Sequence, residues 1–211
     1  MRWEDLLSRF SEQPLFHTSH LGVFPDSRPV VLVQLSRWVN AGKLAQLRRG
    51  WYLIQKPYRT KELSAAFIAN TVVHPSYLSL EWALQYHGII PDATFQPTSI
   101  TTRRGVHFTA DDRYFLYHHV SPRFFHGYGS FEYSGERIII ATPEKSLLDH
   151  IYIFALRNPF SLLWLEGLRL QNLDRFDIEE FRRLGSLVLR PGFSAAVETT
   201  AAFLREMRGR P

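Results

Sequence analysis

The chain has 211 residues, 45% of them hydrophobic and 21% charged, which is enough apolar content for two small domains or one larger one and excludes a disordered protein. It contains no cysteine, which excludes structural disulfides and metal sites built on thiolates. The N-terminal stretch MRWEDLLSRF lacks the apolar core of a signal peptide, and no run approaches the ~20 apolar residues of a membrane span. We therefore expect a soluble, cytoplasmic protein without a membrane partner.

Positive charge is concentrated near the N-terminus. Residues 1–61 carry ten basic and four acidic side chains, whereas the other 150 residues carry fifteen and sixteen. Eight Lys or Arg residues and no Asp or Glu lie between Arg28 and Lys61. A local excess of this kind is typical of a surface that binds a polyanion, and it predicts contact with nucleic acid.

Residues 1–57 show the pattern of three short helices followed by a β-hairpin. Apolar spacing predicts a helix over residues 3–10, and a brief strand at 15–17 precedes a further helical turn that begins at Thr18. Two apolar runs, 44–47 and 51–54, are separated by Arg48, Arg49 and Gly50, which is typical of a hairpin with glycine at the turn. This order predicts a winged helix-turn-helix domain.

The third helix is predicted between Ser27 and Ala41. Ser27 is a suitable N-cap, Pro29 lies in the first turn, and Gly42 ends the helix. The side chains expected to face inward are Leu32, Leu35 and Val39.

The opposite face of this helix is the predicted DNA-binding surface. Gln34, Arg37 and Asn40 lie one turn apart there, and their side chains can pair with base edges in the major groove. Other polar residues are expected near phosphates or the minor groove. The predicted phosphate-contacting residues are Arg28 and Ser36 at the helix, Lys43 after it, and Arg48 and Arg49 at the hairpin turn.

Residues 58–211 are predicted to form an α+β domain. A break at 55–60 that contains Pro57 marks the boundary, and helices are expected over 61–70 and 77–86. Five β-rich runs between residues 98 and 141 predict an antiparallel sheet, and helices are expected over about 143–207. Thr142 and Pro143 are suitable to start the first of these helices, which predicts a helix laid across the sheet. The last helix carries an apolar stripe that we expect to pack within the same chain.

Five motifs, in this order, carry a resemblance to a known family. They are RRGWYLI, HPSYLSLEWALQYHGIIP, SITTRRGVHFT, FHGYG and IIIATPEKSLLDHIY, which together cover most of residues 1–152. The chain resembles the AbiEi family of antitoxins from type IV bacterial toxin–antitoxin systems. The resemblance implies a winged helix that binds inverted repeats in its own promoter, and a second domain that counteracts an AbiEii-type nucleotidyltransferase toxin. It implies no obligatory stable complex with that toxin.

Two other classes of function remain open from the residues. The first is a solitary winged-helix regulator whose second domain senses a ligand or mediates dimerisation. The second is a metal-dependent nucleic-acid enzyme, which would draw on the histidines and aspartates of the sheet region. No HExxH, Walker or dinucleotide motif is present, so we expect no catalytic residues, no metal and no cofactor. The candidate metal ligands are His107, Asp111, Asp112, His118, His119 and His126.

Two features of the second domain have more than one interpretation. Glu144 is expected to support the start of its helix and Lys145 to form a surface ion pair, although an acidic and a lysine residue also occur in nucleases. Several aromatic residues crowd around FHGYG, where they either form a surface for a partner or RNA or anchor a loop in the core; the core is favoured. These aromatic residues are Phe124, Phe125, Tyr128 and Phe131.

Overall fold

The computed structural model describes residues 1–155, 160–188 and 190–209. The chain divides into two compact units, which we call the N-terminal and C-terminal units. The N-terminal unit comprises Met1–Ser64 with Phe108–Asp112, and the C-terminal unit comprises Ala65–His107 with Arg113–Pro211. The predicted boundary after residue 57 lies before this division. The predicted α+β class is confirmed, because helices and sheets both occur.

The N-terminal unit contains two α-helices, one 3-10 helix and a three-stranded antiparallel sheet. The sheet has the strand order β1-β3-β2, so β3 is central. The elements in chain order are α1 (Trp3–Phe10), β1 (Leu15–His17), a 3-10 helix (Thr18–Val23), α2 (Arg28–Asn40), β2 (Leu44–Arg48) and β3 (Trp51–Ile54). The first residue of each element was predicted from sequence to within a residue or two.

Helix α2 ends as its sequence predicts. Gly42 adopts a positive φ of 68°, which a residue without Cβ tolerates best, and the Lys43 amide turns back to donate to the Trp38 carbonyl at 2.9 Å. Ser27 occupies the N-cap position, although its side chain makes no capping hydrogen bond. These signals direct the chain from α2 straight into β2.

The inward face of α2 differs from the prediction. Val31, Leu35 and Trp38 are buried, whereas Leu32 is 43% exposed. Trp38 packs edge-on against Trp3 of α1 with ring centroids 5.1 Å apart. A tryptophan that reaches a partner on another helix buries more apolar area than Leu32 or Val39 would, and this contact sets the rotation of α2.

The C-terminal unit has six α-helices among its described residues, and the second sheet of the chain is mixed and has six strands. Its strand order is β6-β7-β5-β4-β9-β8. The strands are β4 (Ser76–Leu78), β5 (Thr98–Thr101), β6 (Val106–Ala110), β7 (Arg113–His119), β8 (Tyr128–Tyr133) and β9 (Glu136–Ala141). The helices are α3 (Ala65–Val72), α4 (Leu80–Tyr86), α5 (Pro143–Ala155), α6 (Leu162–Gly167), α7 (Ile178–Gly185) and α8 (Pro191–Arg208), and short 3-10 helices span Pro122–Phe124 and Leu173–Arg175.

The prediction of a purely antiparallel sheet was wrong. The five strands expected between residues 98 and 141 are all present, but β4 adds a sixth strand in the middle of the sheet. β4 pairs antiparallel with β5 and parallel with β9, and β5 pairs parallel with β7. The residues of β4 were predicted to belong to the start of a helix over 77–86. In the structure that helix, α4, begins at Leu80. A short run that is buried throughout fits a strand as well as part of a buried helix.

Helices α4 to α8 contribute to one hydrophobic core. Leu147, Leu148 and Ile151 of α5 are buried in it, as predicted for the inward face of that helix. The apolar stripe of α8 contributes Phe193, Val197 and Leu204 to the same core. The expectation that this stripe packs within the chain is therefore confirmed.

Candidate nucleic-acid interface

The exposed face of α2 brings together three of the predicted contact residues. With Val31, Leu35 and Trp38 turned inward, the helical period of 3.6 residues directs Ser36, Arg37 and Asn40 to the opposite side. All three are exposed. Gln34 lies on the flank of the helix and is half-buried, so it is less available to a ligand on that face.

The β2–β3 hairpin carries two further predicted residues. Arg49 is exposed beside Gly50 at the turn, and half-buried Arg48 pairs with Trp51 at the end of the ladder. A β-bulge between Gln46 and Arg48 interrupts the register. We call this element the basic hairpin.

His17 packs against the turn of the basic hairpin. The Thr18 amide donates to the Gly50 carbonyl at 2.8 Å, and the His17 ring lies 5.2 Å from the ring of Trp51. Gly50 has a φ of 85°, and a Cβ at this position would overlap the His17 ring. The turn thus needs glycine both for its backbone and for the space that His17 occupies.

Gly50→Ala should destabilise the protein more than Gly42→Ala does. Both changes place a Cβ at positive φ, which costs about 1–2 kcal/mol, but at Gly42 a Cβ meets no atom within 4 Å. At Gly50 the overlap with His17 adds a packing cost of about 1–3 kcal/mol. Urea unfolding of the two variants measures the difference. Equal losses would show that His17 moves aside freely.

Several of the eight basic residues between Arg28 and Lys61 contact aromatic rings or carboxylates of the N-terminal unit. The Lys43 ammonium lies 5.0 Å from the ring centroid of Trp3 and 5.7 Å from that of Tyr58. Trp3 contacts the buried Trp38, so Lys43 does not share the exposed face of α2. The prediction that Lys43 contacts a phosphate therefore gains no support from its position.

Two more cations of the segment are paired with carboxylates. Lys56 lies 3.1 Å from Glu62, and the buried guanidinium of Arg59 donates to Glu62 at 3.0 Å and to Asp111 at 2.8 Å. Burial lowers the pKa of Arg59, but its hydrogen bonds to the two carboxylates raise the pKa above its ordinary value. These residues thus contribute little free positive charge to the surface.

The remaining cations are available to a ligand. Within the described parts of the chain, the side chains of Arg28, Arg37, Arg48, Arg49 and Lys61 have no hydrogen-bond or ion-pair partner. Arg28 is the first residue of α2 and lines a groove of ≈ 370 Å³ with His17, Ser19 and Asp26. Four of the five are residues that the sequence already singled out.

Sequence reasoning missed a second property of the α2 face. Val30, Leu32 and Val33 are 46%, 43% and 52% exposed. Val30 and Val33 occupy the first half of the exposed face, Leu32 lies on its flank, and Ser36, Arg37 and Asn40 occupy the second half. The signal was present in the sequence RPVVLVQLSRWVN, whose apolar residues are too many for one buried stripe.

Three of the sequence motifs meet at a buried ion pair in the C-terminal unit. Lys145 and Asp149, from PEKSLLD, are both fully buried, and their charged groups are 2.6 Å apart. Tyr77 and Ser79, from HPSYLSLEW, donate to the other Asp149 oxygen at 3.1 and 2.7 Å. The Lys145 ammonium lies 3.3 Å from the ring centroid of Phe124, and a Cβ on Gly127 of FHGYG would meet the Lys145 side chain at 3.0 Å.

The expectation of a surface ion pair for Lys145 was wrong. Burial lowers the pKa of Lys145, and the Asp149 carboxylate partly offsets that decrease. Burial raises the pKa of Asp149, and the Lys145 ammonium partly offsets that increase. Burial and the nearby charges of Lys145 and Arg183 also lower the pKa of His126 to about 4. Glu144 accepts a hydrogen bond from the Asp177 amide at 2.9 Å, so it joins α5 to the start of α7.

The aromatic residues around FHGYG belong mainly to the core. Phe124 is fully buried and packs on Tyr152, and half-buried Phe125 lies 4.9 Å from Tyr77 between ring centroids. Tyr128 is 41% exposed but stacks on Tyr77 at 4.7 Å. These contacts agree with the favoured interpretation, in which the loop is anchored to the sheet.

In the described residues, no group of three or more His, Cys, Asp or Glu side chains is arranged to hold a metal ion. The same ranges contain no helix that is both long and apolar enough to cross a membrane. Comparison with known protein families finds no family model that matches this chain, and comparison with curated proteins finds no matching sequence.

Proposed function

We propose that this protein is a winged-helix DNA-binding regulator that uses α2 as its recognition helix and the basic hairpin as its wing. The observation that carries the proposal is the exposed α2 face. It presents Arg37 and Asn40, the side-chain types that pair with guanine and adenine edges, beside unpaired cations. Phosphate neutralisation by Arg28, Arg48, Arg49 and Lys61 supplies affinity, and the side chains of α2 supply sequence preference.

The connectivity of the N-terminal unit supports this proposal. A helix, a strand, a short helix, a second long helix and a hairpin follow each other in the order expected of a winged helix. β1 pairs with β3, so β1 and the two strands of the basic hairpin form one three-stranded sheet. An α-helix fits the major groove of B-DNA, and a two-residue turn that carries arginine reaches the adjacent backbone.

We further propose that the protein acts as an autorepressor and antitoxin of a type IV toxin–antitoxin system. This part rests on the resemblance to the AbiEi family. Its support in the C-terminal unit is that the motifs HPSYLSLEW, FHGYG and PEKSLLD, distant in sequence, meet around Lys145 and Asp149. The expected target is a nucleotidyltransferase toxin encoded next to this gene. Co-expression of this protein with that toxin should restore cell growth, which tests the antitoxin proposal.

Arg37→Ala/Asn40→Ala should remove sequence preference while leaving non-specific DNA binding. Duplexes are selected from fragmented genomic DNA with the wild-type protein, and affinities for selected and scrambled duplexes are compared. The variant should lose at least about thirtyfold in preference, because each of the two bidentate base contacts is worth about 1–3 kcal/mol. Arg123→Ala, an exposed change in the C-terminal unit, serves as the control. A variant that retains the full preference would refute α2 as the reading element.

A further inference from the structure

The first half of the α2 face has a composition that charge and hydrogen bonding do not explain. Val30 and Val33 are about half exposed although they belong to a well-formed helix. Scattered apolar residues on a surface need no explanation, but Val30 and Val33 are neighbours at i and i+3 on the same side of the helix as Arg37 and form a continuous aliphatic surface there. A ligand that covers this face must therefore offer apolar groups as well as polar ones.

We propose that this aliphatic surface reads thymine methyl groups in the major groove, and the proposal rests on the DNA-binding function given above. The thymine C5 methyl is the apolar group that base pairs display in that groove. Val33, Arg37 and Asn40 follow one line along the helix at i, i+4 and i+7. At 1.5 Å per residue that line is about 10 Å long, so it passes about three base pairs.

Charge favours DNA over a protein partner as the occupant of this face. The segment from Arg28 to Lys61 contains no acidic residue, and two copies facing each other through α2 would bring Arg28 and Arg37 of each copy together. Two half-exposed valine side chains also offer much less than the roughly 800 Å² per partner of a standard protein interface. A polyanion that carries methyl groups matches both properties of the face.

The division of the face assigns different specificities to its two halves. Arg37 and Asn40 recognise bases by hydrogen bonds, and Val30 and Val33 distinguish thymine from cytosine by contact with its methyl group. Burying one methyl group corresponds to about a fourfold gain in affinity. The selected duplexes should therefore contain thymines whose methyl groups contribute to binding, next to the positions that Arg37 and Asn40 read.

The test replaces thymine with uracil, which removes only the methyl group. Wild-type protein should bind the all-uracil version of its selected duplex about four- to twentyfold more weakly, for one to two contacts at about fourfold each. Val30→Ala/Val33→Ala should bind thymine and uracil duplexes equally well. Val23→Ala, which removes the same methyl groups from a 62% exposed side chain outside α2, should keep the discrimination. Circular dichroism and thermal unfolding establish that each variant is folded.

The outcomes separate this proposal from the function on which it rests. If the protein selects a duplex but wild type and Val30→Ala/Val33→Ala both ignore the methyl groups, the thymine proposal is overturned and DNA binding stands. If no duplex is bound, both fail. If light scattering shows self-association that Val30→Ala/Val33→Ala abolishes, the face joins two copies of the chain and does not read thymine.

Discussion

Asp149→Ala should lower the free energy of unfolding by about 3–5 kcal/mol. The change leaves the Lys145 ammonium fully buried without its carboxylate partner at 2.6 Å. It also removes the acceptor of the Tyr77 and Ser79 hydroxyls, which lie in the same buried cluster. An uncompensated buried charge costs far more than the net value of the pair, because its desolvation is no longer offset. Urea unfolding at neutral pH measures the loss.

Two variants make this result specific. Lys145→Met/Asp149→Asn removes both charges but keeps an acceptor for Tyr77 and Ser79, and it should recover most of the lost stability. Glu180→Ala breaks the exposed pair with Arg183 and should have a much smaller effect than Asp149→Ala. A loss for Asp149→Ala no larger than that for Glu180→Ala would show that water or a rearranged side chain satisfies Lys145.

Arg48→Ala/Arg49→Ala should weaken binding to duplex DNA about a hundredfold near 0.1 M salt. Each arginine of the basic hairpin lacks a partner among the described residues, so its full charge is available to a phosphate. A charge-assisted hydrogen bond is worth about 1.5–3 kcal/mol, and we expect about tenfold in affinity for each residue after screening by salt. Fluorescence anisotropy with labelled duplexes measures the change.

The effect should be similar for specific and non-specific duplexes, because phosphate contacts carry no sequence information. Arg123→Ala/Arg137→Ala removes the same charge from exposed positions of the C-terminal unit and should leave affinity within a few-fold of wild type. If both double variants weaken binding equally, the basic hairpin is not a wing and only net charge matters.

Local signals made the N-terminal elements predictable. The start of α2 is marked by Ser27 and Pro29, its end by Gly42, and the hairpin turn by Gly50. These residues act through their own backbone or that of near neighbours. The rotation of α2 was not predictable in the same way. Apolar residues surround most of the helix, and the contact of Trp38 with Trp3, far away in sequence, decides which of them are buried.

Strand β4 escaped sequence analysis for a related reason. Its three residues are all buried, so no alternation of polar and apolar side chains reveals a strand. Its neighbour on one side is β9, which lies about sixty residues later in the chain. Pairing over such a separation is a property of the whole fold.

The candidate interface was predicted in part. Arg37 and Asn40 lie on the exposed face of α2 as helical spacing predicts, whereas Gln34, predicted to lie with them, is half-buried on the flank. The charge of Lys43 can be read from the sequence, but its contacts with Trp3 and Tyr58 cannot. The burial of Lys145 was missed similarly. Asp149 at i+4 was visible, whereas Tyr77, Ser79 and Phe124 approach from other elements.

The dependence of duplex affinity on salt tests the DNA-binding claim most directly. Four unpaired cations, Arg28, Arg48, Arg49 and Lys61, would neutralise about four phosphates, so a plot of log affinity against log salt should have a slope of about −3 to −4 for each bound protomer. Titration of wild-type protein with a selected duplex between 50 and 300 mM salt gives that slope. A slope near zero, or no binding at the lowest salt, would contradict the account.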